Sequence, residues 1–151
     1  MKKLLMMLFC LFTISCADAQ VKQVSKNKMP KNVVNYVEAN YSDREPYYQI
    51  EYVNYNFNRI EDYEVLFDNG TKLEFCKNGE LKSIDCGRHD HIELYLLPEE
   101  IAQYIDKVFT GFYVLEYDIE FNWNKPYRYE VELTNGITLK FNKKYKLVDV
   151  E

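Results

Sequence analysis

Residues 63–75 read YEVLFDNGTKLEF, and residues 129–141, 66 positions on (129 − 63), read YEVELTNGITLKF. Seven of the thirteen aligned positions are identical. Both stretches alternate apolar and polar residues on either side of Asn-Gly, at 69–70 and 135–136. Period-two alternation is the signature of a half-buried strand, and Asn-Gly between two such runs is a strong hairpin signal. The chain therefore carries the same hairpin twice. The match continues outward. Residues 51–57 align with 117–123 at the same offset, and Leu81 aligns with Leu147. Upstream, residues 29–37 align with 97–105 at an offset of 68 (97 − 29). The two-residue difference belongs to the helix–strand connection, where length changes are tolerated.

Each copy opens as a helix. Pro30 and Pro98 suit a first helical position, which needs no backbone N–H. Glu99 and Glu100 complement the positive helix start. Val33, Val34, Val37 and Tyr41, and again Ile101, Ala102, Ile105 and Phe109, recur at helical spacing as one apolar stripe. Four strands follow in each copy, expected over 48–57, 62–67, 71–76 and 80–85, then 113–123, 128–133, 137–142 and 146–150. A half of about 60 residues buries little core alone. The expected fold class is α+β: a tandem repeat of a helix plus a four-stranded antiparallel meander. The repeats cover about 29–86 and 97–151 and form one sheet of roughly eight strands with both helices on one face. Residues 85–97 link them.

Alternation also sorts the faces of the sheet. Tyr63, Val65, Phe67, Leu73 and Phe75 share one side with Tyr129, Val131, Leu133, Leu139 and Phe141, and Val53, Tyr55, Phe57, Ile119, Phe121 and Trp123 are placed with them beneath the helices. The opposite, open side is expected to carry Ile50, Tyr52, Asn54, Glu64, Leu66, Lys72 and Glu74. In the second copy it carries Glu116, Asp118, Glu120, Glu130, Glu132, Thr138 and Lys140. The candidate partner-binding residues are thus an apolar island of Ile50, Tyr52 and Leu66, with Glu116, Asp118, Glu120, Glu130 and Glu132 as an acidic cluster. The other reading is a solvated, salt-bridged surface. The fourth strands do not alternate cleanly and are left unassigned to a face.

The N-terminus, MKKLLMMLFCLFTISCADAQ, has Lys2 and Lys3 before an uncharged apolar run over 4–14 and a small-x-small site at Ala17-Asp18-Ala19. That is an export signal, too short for a spanning helix. Residues 1–19 are read as the leader and 20–151 as a single domain. The alternative is a lipid anchor at Cys16, because Thr13-Ile14-Ser15-Cys16 is similar to a lipobox. No other apolar run is long enough to span a bilayer. Losing Lys2, Lys3 and Asp18 takes the net charge from −5 to −6, so nucleic acid is not an expected partner. The expected location is periplasmic or secreted.

Outside the leader only Cys76 and Cys86 remain. A two-residue Asn78-Gly79 turn sets Cys76 opposite Leu81 and Cys86 opposite Thr71, about 17 Å apart along the ladder at ~3.3 Å per residue. A disulfide needs Cα atoms about 4.4–6.8 Å apart, so an intramolecular bond would require a broken register. His89-Asp90-His91 is the one histidine cluster, and it matches no strong zinc spacing. Glu116, Asp118 and Glu120 alternate along one strand and look equivalent, unlike the differentiated acid pair of a glycosidase. EF-hand spacing, GxSxG, HExxH, P-loop and dinucleotide fingerprints do not occur. Cys76 has no basic helper nearby in sequence. No cofactor, metal site or catalytic residue is assigned. A hydrolase or metal-binding protein using the acidic strand and His89/His91 is the alternative reading.

The Pro-led helix followed by YEVxLxNGxxLxF, carried by Pro30 with 63–75 and by Pro98 with 129–141, resembles the PepSY-like family of secreted proteins, similar in fold to the β-lactamase inhibitor protein. The resemblance covers nearly all of the chain after the leader. It implies a tandem αβ repeat, an extracytoplasmic bacterial location, no catalytic residues and an open sheet face able to dock another protein, as a restraint on an enzyme or peptidase. The inhibitor's disulfides have no clear counterparts here. The expected function is a non-catalytic periplasmic binding module whose partner is a protein, peptide or envelope ligand. Mass spectrometry of the mature N-terminus is expected to find Gln20 first; a lipid-modified Cys16 would assign the chain to the envelope by its anchor instead.

Overall fold

A computed structural model describes residues 20–53, 59–88 and 90–151. It contains helices α1 (Lys31–Asn40) and α2 (Glu99–Val108). The strands are β1 (Gln20–Val24), β2 (Pro46–Tyr52), β3 (Ile60–Phe67), β4 (Lys72–Cys76), β5 (Leu81–Asp85), β6 (Val114–Ile119), β7 (Tyr129–Leu133), β8 (Thr138–Phe141) and β9 (Leu147–Val150). They form one nine-stranded antiparallel sheet in sequence order. Eight are the expected strands. The ninth, β1, adds to the edge of β2, pairing Lys22 with Ile50 and Val24 with Tyr48. Its sequence, QVKQV, is short and mostly polar, as sheet edges commonly are.

The two copies fuse at β5 and β6, where Ser83, Ile84 and Asp85 pair with Asp118, Tyr117 and Glu116. Ile84 is fully buried and Tyr117 nearly so. The core is continuous from α1 to α2: Val33, Val37 and Tyr41 meet Val65, Phe67, Leu73 and Phe75, while Ile101 and Ile105 meet Val131, Leu133, Leu139 and Phe141 in the same cluster. The two halves repeat their aromatic contacts. Tyr36 stands edge-on to Phe75 at 5.6 Å between ring centroids, and its counterpart Tyr104 stands edge-on to Phe141 at 5.7 Å. Pro30 and Pro98 sit one position before their helices, as N-caps, and their carbonyls accept the first backbone N–H donations, from Val34 at 3.2 Å and Ala102 at 3.0 Å.

The hairpin turns differ in detail from the two-residue form. At 67–71 the Phe67 carbonyl accepts from Gly70 N at 3.0 Å, and Phe67 N donates to the Thr71 carbonyl at 2.9 Å. Only the glycine takes positive φ, +89°. Asn69 contributes its side-chain oxygen, which accepts from Thr71 N at 3.1 Å. Asn78 and Asn135 do the same toward Glu80 and Ile137, the local side-chain-to-backbone bond that favours Asn in turns. The three-residue turn places Cys76 across from Glu80 rather than Leu81. Cys86 lies beside Thr71 as expected, the Thr71 hydroxyl donating to its Sγ at 3.7 Å. Both cysteines are free thiols. The uneven fourth strands have a cause as well. β5 and β9 each carry a bulge, leaving Lys82 and Val148 as extra residues in the ladders.

Ile84→Ala removes buried volume at the junction and is expected to cost about 2–5 kcal/mol of stability. Urea denaturation followed by far-ultraviolet circular dichroism is expected to shift as a single transition. Two separated transitions would mean that the halves do not share one core.

Candidate functional site

The helices cover one side of the sheet and leave the other open. Because directly paired residues share a face, the register defines the open side row by row. One row runs Tyr47, Leu66, Lys72, Asp85, Glu116, Glu132, Thr138. The next runs Gln49, Glu64, Glu74, Ser83, Asp118, Glu130, Lys140. Leu66, Glu116, Asp118, Glu130 and Glu132 are therefore on the open face, as expected. Glu120 continues that face just past β6, but its carboxylate is neutralised by an ion pair with Lys125.

Ile50 and Tyr52 are a correction. Ile50 pairs with Tyr63 and is 5 % exposed, and Tyr52 pairs with Ile60 and packs against the core. Both lie under the helix side. The structural equivalents are Ile50 with Ile119, since these pair with Tyr63 and Tyr129. From Ile50 to Tyr63 is 13 residues (63 − 50), whereas from Ile119 to Tyr129 is 10 (129 − 119). The first connection is three residues longer, and an odd shift exchanges the two faces of a strand. The same shift removes Val53 from the core, where it is exposed. Asn54, Tyr55 and Phe57 lie outside the described residues. In the second copy Phe121 and Trp123 also leave the core, because β6 ends at Ile119 and the chain turns away. The apolar partner of Leu66 on the open face is Tyr47, directly across the ladder and half exposed. The face exchange hid it from the sequence reading.

Charge divides the open face. In the first half, Lys72 binds Glu74 and lies 3.9 Å from Glu64, and Lys82 binds Asp62 and lies 3.5 Å from Glu74. At the junction and in the second half, Asp85 of β5 and Glu116, Asp118, Glu130 and Glu132 of β6 and β7 have no ion-pair partner among the described residues. The two lysines that flank them in the rows are engaged elsewhere: Lys72, across from Asp85, binds Glu74, and Lys140, across from Glu130, binds Glu151. Like charges sit directly opposite: Glu116 faces both Asp85 and Glu132, and Asp118 faces Glu130, an unfavourable arrangement. Burial, then Asp118 and the other neighbouring carboxylates, push Glu116 up to about 7. Burial and Glu130 push Asp118 up to about 6. Lysine hydrogen bonds have the opposite effect elsewhere, and Glu120 beside Lys125 is held below the usual range.

The histidine cluster does not join this face. His91 lies between Asp90 and Glu93 and packs on Tyr113, while Asp90 is bound by Arg44 at 2.8 Å and by Asn69 at 2.7 Å. His89 is outside the described residues. Among the described residues no group of three or more His, Cys, Asp or Glu could hold a metal ion, and no helix is long and apolar enough to cross a membrane. The hydrolase or metal-protein alternative finds no support in this arrangement.

The molecule is thus a fused pair of helix-and-meander units with one face of the sheet left bare by the helices. The chain belongs to the family described as "Putative beta-lactamase-inhibitor-like, PepSY-like", whose model matches residues 15–61 and 61–149. It is similar to a crystal structure described as a putative calcium-regulated periplasmic protein from Bacteroides thetaiotaomicron, with TM-score 0.74 and 27% identity over 87% of this chain and 96% of that one. It is also similar to a putative periplasmic protein of the DUF2874 family from Bacteroides vulgatus ATCC 8482, with TM-score 0.72 and 22% identity over 87% and 97%. A second Bacteroides vulgatus periplasmic protein, of unknown function, superposes with TM-score 0.71 at 22% identity over 87% and 99%. At 22% identity these last two show the fold alone. No curated protein sequence matches. The family is inhibitor-like by its description, and the solved structures that this chain resembles are of proteins described as periplasmic.

A carboxyl whose folded pKa is raised binds more protons folded than unfolded. Its contribution to stability is therefore fully present below the unfolded value and is lost as pH rises through the folded one. Glu116→Gln removes that loss. Relative to the unsubstituted protein, the variant is expected to gain thermal stability progressively between about pH 4.5 and 7 and to hold the gain above that. Melting curves across this range would contradict the account if the difference between the two proteins did not change with pH.

Proposed function

We propose that this chain is a non-catalytic binding module of the cell envelope that docks a protein or peptide partner on its open sheet face, in the manner of an enzyme or peptidase inhibitor. The observation that carries the reading is the block of five unpaired carboxyls, Asp85, Glu116, Asp118, Glu130 and Glu132, held against one another on a rigid sheet. Such a block is costly in isolation and is relieved by a partner that brings Lys or Arg side chains, which supplies both orientation and fast encounter. Tyr47 and Leu66 lie at the far end of the same row, on β2 and β3, and offer an aromatic–aliphatic anchor of the kind that dominates interface energetics. The leader over residues 1–19, with Cys16 as the alternative anchor, delivers the module to the envelope and belongs to this proposal. The calcium regulation in one relative's description is a statement about that protein, and nothing in the arrangement of these acids assigns it here.

The test compares three immobilised proteins challenged with periplasmic extract: the unsubstituted chain, Glu116→Lys/Glu132→Lys on the open face, and Lys107→Glu on α2. Partners lost from the open-face variant alone, and released by raised salt, are expected. Identical retention on all three would remove the open face from the function.

A further inference from the structure

Beyond the acidic block, the last row of the open face leads into a groove of about 390 Å³ with the opposite charge. It lies between the β6–β7 loop and the β8–β9 turn and is lined by Trp123, Arg128, Asn142, Lys143 and Lys144, among others. Its one carboxylate, Glu120, is committed to Lys125. Arg128 donates to the Glu120 backbone carbonyl and lies 4.3 Å from the Phe121 ring centroid. Arg128, Lys143 and Lys144 have no ion-pair partner among the described residues, so the groove is locally cationic on a chain of net charge −5. Trp123 is 85 % exposed beside them.

The duplication supplies an internal control. The first copy's turn, Cys76-Lys77-Asn78-Gly79, and the second copy's, Asn142-Lys143-Lys144-Tyr145, make the same closing bond, Gly79 N to Cys76 O at 2.7 Å and Tyr145 N to Asn142 O at 2.9 Å. In the first copy the turn is sealed: the Asn32 amide donates to the carbonyls of Asn78, at 3.2 Å, and Gly79, at 2.8 Å. In the second copy Asn has become Lys144 and Gly has become Tyr145, the only described non-glycine residue with positive φ, +59°. A bulky side chain is disfavoured in that conformation. The Tyr145 ring packs on Tyr129 at 5.1 Å, which fixes the turn from the core side while both lysines point to an exposed surface. The second copy has given up the ordinary turn residue and gained a cation at the groove.

We infer that this groove binds an acidic saccharide, a sugar ring carrying a carboxylate. The charge selects an anion. The exposed indole offers an apolar face for a ring. The oxygens of Asn122 and Asn142 are taken by backbone N–H groups of their own turns, which leaves their amide N–H groups to donate to ligand oxygens. A peptide fits less well, because its backbone would find no free ladder here: the N–H groups of Glu120, Arg128 and Asn142 already donate to Arg128, Phe141 and Lys146 carbonyls. The groove borders the acidic block, sharing Glu120, Lys125 and Tyr127 with the depression that Asp118 and Glu130 line, but Trp123, Lys143 and Lys144 lie outside the block, so failure of variants at these three leaves the proposed docking face untouched, and the reverse.

Trp123 is the chain's single tryptophan and reports directly on the groove. Titration with trigalacturonate is expected to change its fluorescence saturably. Maltotriose, a neutral trisaccharide, is expected to leave it unchanged, and about 0.5 M salt to weaken the response. By calorimetry, Trp123→Ala and Lys143→Glu/Lys144→Glu are each expected to lower trigalacturonate affinity about tenfold or more, with melting temperatures confirming that these surface variants remain folded. The proposal is overturned by no saturable response up to about 10 mM, by equal binding of maltotriose, by affinity unchanged in both folded variants, or by tighter binding of hexaglutamate, which would assign the groove to acidic peptides.

Discussion

The pairing of β5 with β6 is the constraint on which the rest of the molecule depends. Three residue pairs join two half-sized units into one sheet, and each pair has a consequence. Ile84 opposite Tyr117 closes the apolar layer between the two helices, so neither half leaves an unpaired internal edge. Asp85 opposite Glu116 and Ser83 opposite Asp118 do the reverse on the other side, bringing first-copy residues into the acidic strand of the second. The ladder that completes the core thus also builds the concentration of like charge on the open face. Core burial of large side chains, at about 1.5–3 kcal/mol each, is large enough to hold those carboxyls together against repulsion.

The two copies have diverged according to what each surface does. Beneath the helices they remain close: Tyr36 and Tyr104, Phe75 and Phe141, Val65 and Val131 occupy matching places because packing admits few substitutes. On the open side the first copy spends its lysines on internal ion pairs, Lys72 to Glu74 and Lys82 to Asp62. In the second copy Lys82 is replaced by Val148 at the matching bulge, and Glu116, Asp118, Glu130 and Glu132 have no ion-pair partner among the described residues. Packing holds the core face to few residue types, while the open face of a duplicated scaffold is free to diverge.

Much of this was legible in the sequence, because a repeated hairpin carries its own register. The α+β class, both helices, eight of the strands, and the open-face positions of Leu66, Glu116, Asp118, Glu130 and Glu132 follow from alternation about Asn-Gly. The misplacement of Ile50 and Tyr52 has a single source. Residues 51–57 align on 117–123 at the hairpin's offset, but the connection after β2 is three residues longer, and no side-chain pattern in that stretch reports the insertion. β1 is not legible in the sequence, because five mostly polar residues carry too little alternation to distinguish a strand from a loop. Trp123, placed in the core by the same alternation, is almost bare because β6 stops four residues short of it (123 − 119).

The β5–β6 junction sets half-buried carboxyls side by side, and their titration reports both the burial and the crowding. Carbon-13 NMR of the side-chain carboxyls, followed against pH, is predicted to give a midpoint near 7 for Glu116 and near 6 for Asp118, with Asp85→Asn lowering the first. Midpoints in the ordinary range of about 4 for both, unmoved by Asp85→Asn, would contradict this, since the first copy's last strand would then not be delivering its charge beside the second copy's first.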